Sequence, residues 1–208
     1  MKTNIVIPMK APNFSKTRLG PCFSSIQRQK LALTMFEETL SFFSQHFPEY
    51  HVLVVTSSAL ISLVAKKHGA SVLTERLPGL NQAATSGAIW SLNNGFDSQL
   101  LIPADIAQLD VKEVKRLLSI KRLVPSVLLA PAEDNGTNAL LTTPPNVIDF
   151  QYGVNSSRAH QIAAVSQDIS FQSIALPHLA LDIDTPDDVA QLAASAHPLV
   201  QELVPQWS

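Results

Sequence analysis

The sequence predicts an α/β protein: a three-layer, Rossmann-like α/β/α domain built around a mostly parallel sheet. Two observations lead to this prediction. Short apolar segments alternate with amphipathic helical segments through the first half of the chain, which is typical of a parallel sheet covered by helices on both faces. Polar loops also follow several predicted strands. Right-handed crossovers place these loops at one edge of the sheet, where such folds bind ligands.

Four strands and three helices are predicted in the first half. The first helix opens with Ser24-x-x-Gln27, a capping-box pattern, and its apolar residues recur three and four positions apart until Pro48 ends it. Further helices are predicted over residues 59–67 and 80–92. The predicted strands are residues 4–8, 51–56, 71–73 and 99–102.

The second half is predicted to continue with helices and shorter strands. Asp110 is expected to cap a helix whose apolar residues share one face. A loop-like region over residues 143–157 precedes a helix over 157–165, and the last helix covers 186–194. From Pro198 onward we can assign no pattern. The predicted strands are residues 126–130, 139–141, 171–175 and 179–183.

The last predicted strand carries two acids. Residues 179–183 are apolar except for Asp182, and on a strand Asp182 and Asp184 would share one face, with Cα atoms about 6.6 Å apart. Two unpaired carboxylates at that distance repel by about 2.5 kcal/mol at an effective dielectric near 20, so the pair favours a bound cation. Thr185 and Pro186 fit the N-cap and first residue of the last helix. Extending this cap is the alternative role of Asp184.

Composition limits the class of protein. The 208 residues fit a single domain, which we divide into a nucleotide-binding half (1–110), an acceptor and metal half (111–195) and a tail (196–208). The net charge of -2 argues against a nucleic-acid partner. The single cysteine, Cys22, excludes an internal disulfide and a Cys-based zinc site. No apolar run is long enough to span a membrane, and we expect a cytoplasmic protein; the sequence leaves open whether it is a monomer or a homodimer.

Two segments that follow predicted strands carry charges suited to phosphate chemistry. Lys10, Lys16 and Arg18 lie within nine residues of one another after the first strand. Concentrated positive charge of this kind suits a polyphosphate, although a solvated basic loop is the plainer explanation. Asp105 follows a later strand, in Pro103-Ala104-Asp105, where capping a turn is the plainer role. Together with Asp182 and Asp184 it makes three carboxylates, enough to hold Mg²⁺ while phosphates supply the remaining ligands.

Two polar, glycine-containing turns lie in the second half. They are Gly136-Thr137-Asn138 and the segment from Tyr152 to Ser156. Their backbone N–H groups, with the hydroxyls of Thr137 and Ser156, suit a small anion, but Ser156 equally suits a helix N-cap. The six histidines show no metal-ligand spacing, and we expect His160 to be a surface or supporting residue.

These motifs together resemble the 2-phospho-L-lactate guanylyltransferase family of coenzyme F420 biosynthesis, a branch of the MobA-like nucleotidyltransferases with a GT-A-like fold. The resemblance covers nearly the whole chain, and its motifs occur in the family's order and spacing. The motifs are Ile7-Pro8-x-Lys10 with Ser15-Lys16-Thr17-Arg18-Leu19, Gly79-Leu80-Asn81-x-Ala83, Pro103-Ala104-Asp105, Gly136-Thr137-Asn138-Ala139-Leu140, and Leu179-Ala180-Leu181-Asp182-Ile183-Asp184-Thr185-Pro186.

The resemblance implies transfer of GMP from GTP to the phosphate of a small phosphorylated carboxylic acid, with release of diphosphate. The acceptors used in the family are 2-phospho-L-lactate, phosphoenolpyruvate and 3-phospho-D-glycerate. By similarity, Asp105, Asp182 and Asp184 would bind the metal, and Lys16, Arg18 and Asp105 would contact the phosphates and take part in catalysis. The nucleotide would be bound by Pro8, Lys10, Lys16, Asn81 and Ala104. The acceptor would be bound by Thr137, Gly153 and Ser156.

Two positions depart from the family pattern. Ala107 stands where the family usually has a second proline, and Asn155 stands where it favours glycine. Asparagine adopts the left-handed backbone that glycine allows, though less freely. Three alternatives remain at this stage: another MobA-like or sugar-phosphate nucleotidyltransferase, a GT-A glycosyltransferase that uses Asp182-x-Asp184 for its metal, and a nucleotide-binding module without turnover.

Overall fold

The structure, a computed structural model, describes residues 1–121 and 123–194. This part contains seven strands: β1 (Thr3–Pro8), β2 (His51–Thr56), β3 (Ser71–Thr74), β4 (Ser98–Leu101), β5 (Ser126–Pro131), β6 (Thr137–Thr143) and β7 (Ser170–Ser173). It also contains six α-helices: α1 (Ser25–His46), α2 (Ala59–Lys67), α3 (Leu80–Asn93), α4 (Val111–Ser119), α5 (Ser156–Val165) and α6 (Pro186–Ala194). The predicted tail, 196–208, lies outside the described residues.

All seven strands form one sheet in the order β3-β2-β1-β4-β6-β5-β7. β6 pairs antiparallel with both of its neighbours, and every other pairing is parallel. A short turn after Pro131 joins β5 to β6, and a connection this short permits only antiparallel pairing. The prediction of a mostly parallel sheet is confirmed.

The strands bury alternate residues on the two faces of the sheet. Ile5 and Ile7 of β1 pack in one cluster with apolar residues of α1, α2 and α4. Val6, between them, packs on the opposite face with Ala83 of α3. Residues of α5 extend the apolar layer on that second face. The three-layer α/β/α prediction is therefore confirmed, and its cause is the strict alternation of side chains along each strand.

Local sequence signals place the helix ends correctly. The side chain of Ser24 accepts from Gln27 N–H, and the Gln27 side chain accepts from Ser24 N–H, so the predicted capping box is present. The Asp110 carboxylate accepts from Glu113 N–H at 2.9 Å and caps α4. Gly69 follows α2 with a φ of +80°, the left-handed conformation that glycine adopts at no steric cost.

The predicted strand over residues 179–183 is wrong. Residues 177–180 form a turn, and only Asp182 makes a β-bridge, an isolated antiparallel one with Ile106. The segment nevertheless buries Leu179 and Ile183 completely. The segment lies against the loop that follows β4 and does not join the sheet. Its apolar residues therefore indicate that the segment is buried, and they do not indicate that it forms a strand.

Within the described residues, no helix is both long and apolar enough to cross a membrane.

Candidate active site

The loop after β1 holds a buried lysine in an unusual backbone conformation. Lys16 has a φ of +55° and a ψ of +34°, values that cost a non-glycine residue of the order of 1 kcal/mol or more. Its side chain is only 4% exposed, and its Nζ lies 2.9 Å from Asp105 Oδ2 and 3.7 Å from Asp184 Oδ1. Two carboxylates therefore share one ammonium group.

Backbone hydrogen bonds bring the two distant acidic segments together. The N–H of Ile183 donates to the carbonyl of Asp105 at 3.1 Å, and the N–H of Ala107 donates to the carbonyl of Leu181 at 2.8 Å. These bonds flank the β-bridge between Ile106 and Asp182. Asp182 and Asp184 reach the site because their segment is tied to the loop after β4.

The start of α6 fixes Asp184. The N–H groups of Asp184 and Thr185 both donate to Asp188 Oδ2, at 2.9 and 2.6 Å, and Asp188 N–H donates to Thr185 Oγ1 at 3.4 Å. The predicted cap of the last helix is confirmed. The Asp184 carboxylate does not take part in the cap; its Oδ2 instead accepts from Arg18 Nη1 at 3.2 Å.

The carboxyl group of Asp182 has a raised pKa. Burial, and then the negative charge of Asp105, raise the pKa of Asp182 to about 6, although an Asn138 hydrogen bond and the charge of Lys16 oppose the shift. Asn138 Nδ2 donates to Asp182 Oδ1 at 3.3 Å. Asp105, Asp182 and Asp184 thus form one electrostatic cluster with Lys16, which we call the aspartate cluster.

A cavity of about 580 Å³ opens beside this cluster, a size typical of small-molecule sites. Loops that follow β1, β2, β3 and β4 form most of its wall, with Ser57, Glu75 and Gly79 among their residues. Of the residues predicted from the sequence, it is lined by Pro8, Lys10, Lys16, Ala104, Asp105 and Asp184.

Asn81 does not line this cavity. Its Oδ1 accepts from Tyr152 N–H at 2.6 Å, and its Nδ2 donates to the Tyr152 carbonyl at 3.2 Å. Asn81 therefore joins the first turn of α3 to the loop that precedes α5. Its contact with a nucleotide stays a prediction.

The predicted acceptor residues lie around the N-terminus of α5. Ser156 Oγ donates to Thr137 Oγ1 at 3.0 Å, and both side chains are buried. Gly153 has a φ of +144°, and Asn155 a φ of +55°, so Asn155 adopts the left-handed conformation anticipated for it. Asn138, next to Thr137, connects this group to Asp182.

His160 is fully buried. Of the two positions expected for it, surface or supporting, the surface one is wrong. Its Nδ1 lies 3.1 Å from Thr137 Oγ1, and its Nε2 accepts from Gln151 N–H at 2.9 Å. Burial lowers the pKa of His160 to about 4, so the ring is neutral at ordinary pH. Its position on α5, four residues after Ser156, was the available signal, because residues four apart share one helix face.

A three-layer fold with a cavity at the carboxyl edge of its sheet is the arrangement in which α/β proteins bind ligands. The fold matches solved structures with nucleotidyltransferase and GT-A-like folds. One is a 4-diphosphocytidyl-2C-methyl-D-erythritol synthase, with a TM-score of 0.63 and 16% identity, over 96% of this chain and 98% of that one. Another is glucosyl-3-phosphoglycerate synthase from Mycobacterium tuberculosis, with a TM-score of 0.63 and 11% identity, over 98% of this chain and 79% of that one.

The sequence identifies the family. Residues 3–197 match the family described as "Guanylyl transferase CofC like", and the chain belongs to it. It is 64% identical to a 3-phospho-D-glycerate guanylyltransferase from Colwellia psychrerythraea, over 98% of this chain and 97% of the relative. It is 31% identical to a phosphoenolpyruvate guanylyltransferase from Rubrobacter xylanophilus, over 94% and 95%, and 26% identical to a 2-phospho-L-lactate guanylyltransferase from Methanocaldococcus vulcanius, over 90% and 83%. The chain is therefore a guanylyltransferase, as the motifs predicted.

Proposed function

We propose that this enzyme transfers GMP from GTP to the phosphate of 3-phospho-D-glycerate in coenzyme F420 biosynthesis. A phosphate oxygen of the acceptor attacks the α-phosphorus, the bond from that phosphorus to the α–β bridging oxygen breaks, and diphosphate leaves. One observation carries the proposal: the basic loop after β1 and three carboxylates from two distant segments meet beside a cavity of about 580 Å³. The choice of acceptor is supported by the 64% identity to a 3-phospho-D-glycerate guanylyltransferase.

The cavity is the site for GTP in this proposal. Pro8 and Ala104 line the cavity at the carboxyl ends of β1 and β4, and the exposed Lys10 provides positive charge at its opening. Lys16 lies against the aspartate cluster and faces the cavity. The triphosphate therefore extends from the cavity toward Asp105, where positive charge stabilises the negative charge that develops in phosphoryl transfer.

The aspartate cluster suits Mg²⁺. Its donors are all carboxylate oxygens, the ligands that Mg²⁺ prefers. Burial, and then the negative charge of Asp105, raise the pKa of Asp182, and a bound cation would favour its ionised form. No three acidic, His or Cys side chains of residues 1–121 and 123–194 are arranged to hold a metal together. Mg²⁺ in nucleotide sites commonly uses one or two carboxylates and takes its remaining ligands from phosphates and water. One or two of Asp105, Asp182 and Asp184 would therefore hold the ion, which would supply Lewis-acid charge to the transferred group.

The remaining chemistry is positioning. The acceptor phosphate is itself the nucleophile, so the chain needs no serine or cysteine nucleophile and no strong base. Lys16 is held rigidly by its two carboxylate partners, whereas Arg18 has a side chain that is 69% exposed. Arg18 is therefore free to leave Asp184 and contact the phosphates. Aligning the acceptor phosphate with the α-phosphorus lowers the barrier by reducing the entropy lost on reaching the transition state.

The acceptor binds, in this proposal, at the N-terminus of α5, with Thr137, Gly153 and Ser156. The N-terminus of α5 presents the positive end of the helix dipole to an anion. The link from Asn138 to Asp182 places this group beside the aspartate cluster, as transfer between two phosphates requires.

A substrate screen tests the proposed function. GTP, ATP, CTP and UTP are each combined with 3-phospho-D-glycerate, phosphoenolpyruvate and 2-phospho-L-lactate, and diphosphate release and product mass are recorded. We expect GTP with 3-phospho-D-glycerate to give the fastest release and a product that contains GMP joined to the acid. Faster turnover with another acid would correct the acceptor, and diphosphate release with no acid at all would contradict the proposed transfer.

A further inference from the structure

The two ring nitrogens of His160 contact two different groups, the backbone N–H of Gln151 and the hydroxyl of Thr137. One ring nitrogen faces the backbone of the loop that precedes α5, where Gln151 N–H donates to Nε2 at 2.9 Å. The other, Nδ1, lies 3.1 Å from Thr137 Oγ1. The ring is fully buried and packs edge-on against Tyr152, with ring centroids 4.8 Å apart. Its orientation is therefore fixed on every side.

The first contact decides which nitrogen carries the proton. A backbone N–H can only donate, so Nε2 of His160 must be the acceptor. A neutral imidazole carries one proton, which then belongs to Nδ1. Nδ1 consequently donates to Thr137 Oγ1.

The Thr137 hydroxyl also accepts from its second neighbour. Ser156 Oγ donates to Thr137 Oγ1 at 3.0 Å. A hydroxyl oxygen has two acceptor positions, and His160 and Ser156 occupy both. The proton of the Thr137 hydroxyl must therefore be donated elsewhere, and we find no acceptor for it within the described part of the chain.

We propose that His160 is a positioning residue that fixes the Thr137 hydroxyl as a hydrogen-bond donor to an anionic group, a carboxylate or a phosphate, of the acceptor. Thr137 is 6% exposed, against 2% for Ser156 and 0% for His160, so it is the most accessible member of the trio. This inference rests on the proposed function, because it assumes that the acceptor acid binds at the start of α5.

The proposal accounts for a buried histidine in a site that needs no base. A hydroxyl that is free to rotate can present either its proton or a lone pair, and only the proton attracts an anion. Fixing the donor in advance removes this ambiguity at no cost during binding, which is the general benefit of a preorganised site.

Two conservative variants of His160 separate its two contacts. In His160→Asn, the side-chain amide lies near the position of Nδ1 and keeps a donor for Thr137. In His160→Gln, the amide reaches the position of Nε2, keeps the contact with Gln151 and loses the donor. Thr137→Val removes the hydroxyl, and Ser157→Ala is a matched control, because the Ser157 hydroxyl bonds the carbonyl of Asn135 at 2.9 Å outside the trio.

The dissociation constant for 3-phospho-D-glycerate, measured by calorimetry on each full chain, tests the proposal whether or not turnover is seen. We expect His160→Gln to weaken binding by about tenfold, and His160→Asn and Ser157→Ala to stay within about threefold of the parent. Adding His160→Gln to Thr137→Val should weaken binding no further, because His160 acts only through that hydroxyl. Equal losses in the two His160 variants, or additive losses in the double variant, would show a purely structural role and overturn the proposal.

A spectroscopic readout on the unaltered protein keeps the test independent of variant folding. Long-range proton–nitrogen NMR reports the tautomer of each histidine. We expect the His160 ring to carry its proton on Nδ1, with and without 3-phospho-D-glycerate. A proton on Nε2, or on both nitrogens at neutral pH, would overturn the inference. Absence of GMP transfer with unchanged binding results would instead refute the proposed function and leave the positioning role supported.

Discussion

The Nζ of Lys16 lies 2.9 Å from Asp105 Oδ2, a contact between residues 89 positions apart in the chain. The same ammonium is 3.7 Å from Asp184. One buried cation thus connects the loop after β1, the loop after β4 and the segment before α6. A cation shared by these two carboxylates would lie close to the Lys16 ammonium. We therefore expect the charge of Lys16 to affect the affinity of the site for Mg²⁺.

Replacing Lys16 should uncover the repulsion within the aspartate cluster. We expect Lys16→Met to lower the free energy of unfolding by about 2 kcal/mol, because a buried charge partner is lost. Mg²⁺ should restore part of this loss, since it supplies the missing positive charge. Chemical denaturation with and without Mg²⁺ checks both effects. Lys10→Met is the control: Lys10 is exposed, and its variant should stay within about 0.5 kcal/mol of the parent. Equal Mg²⁺ effects in the parent and Lys16→Met would argue against a cation at this position.

Neutralising either acid before α6 should abolish transfer without unfolding the chain. We expect Asp182→Asn and Asp184→Asn each to lower kcat/KM by at least about 100-fold, because each removes a charge that the proposed function assigns to Mg²⁺ binding. Diphosphate release measures the activity, and circular dichroism measures the fold. Asp187→Asn is a matched control, since Asp187 is exposed in the first turn of the same helix. A variant with near-normal turnover would remove its aspartate from the catalytic assignment.

A substitution of Asn81 distinguishes two roles for this residue: contact with the nucleotide, and support of the loop that precedes α5. Asn81→Ala leaves the N–H and carbonyl of Tyr152 without their present partner. If support is its main role, we expect the KM for the acceptor acid to rise by about tenfold while the KM for GTP stays within about twofold. The reverse split in the two KM values would assign Asn81 to the nucleotide, as the family resemblance implies.

His160 should make stability depend on pH in a defined direction. Its pKa is about 4 in the folded protein, against about 6.5 for an unfolded chain. The unfolded state binds the extra proton between these values, so stability falls as the pH drops from about 6.5 to about 4, by up to about 3 kcal/mol. The raised pKa of Asp182 acts in the opposite sense: its stabilising effect is greatest at low pH and is lost as the pH rises through about 6.

The contribution of His160 is therefore measured as a difference. Urea unfolding of the parent and of His160→Asn is followed between pH 4 and pH 7, a range in which asparagine does not titrate. The parent should lose more stability toward low pH than the variant. Parallel profiles would mean that His160 is protonated as easily in the folded state as in the unfolded one.

Substitutions of Asn155 test whether asparagine can replace the glycine that the family favours at this position. Its φ of +55° costs alanine about 1 kcal/mol more than glycine. Asparagine adopts this conformation more readily than alanine, so we expect Asn155→Ala to lower the free energy of unfolding by up to about that amount and to weaken binding of the acid. Asn155→Gly should leave both nearly unchanged. Loss of acid binding in Asn155→Gly would show that the asparagine side chain itself contacts the acceptor.

The sequence predicts the layers of this fold because the decisive signals are local. The Ser24 and Gln27 capping box, the Asp110 cap and Gly69 each act within a few residues of a helix end. Alternation of buried residues along a strand is equally local. These features require no knowledge of distant partners.

The segment over residues 179–183 shows where such signals fail. Leu179 and Ile183 are as fully buried as residues of a central strand, but their segment packs over the end of the sheet. The Glu113 side chain accepts from the N–H groups of His178 and Leu179 at 3.1 and 3.0 Å, which holds the turn at its start. Apolar residues indicate burial, and only the partners of the backbone reveal whether a strand forms.

Only part of the candidate site could be predicted, because some of its residues are brought together by strand order and others by irregular loops. Strand order places Lys16 and Asp105 together at one edge, so topology makes their meeting foreseeable. Asp184 joins them through backbone hydrogen bonds between its segment and the loop after β4. The role of Asn81 and the burial of His160 depend on Tyr152 and Gln151 in a loop without regular structure. A single sequence carries no pattern that pairs such residues.

Phosphorus NMR of GTP mixed with 3-phospho-D-glycerate, Mg²⁺ and the enzyme tests the central claim most directly, because it observes the bond that is made. The account predicts that the α-phosphorus of GTP becomes bonded, through oxygen, to the phosphorus of the acid, while free diphosphate appears in equal amount. GTP that stays intact, or that yields GDP and inorganic phosphate with the acid unchanged, would contradict it.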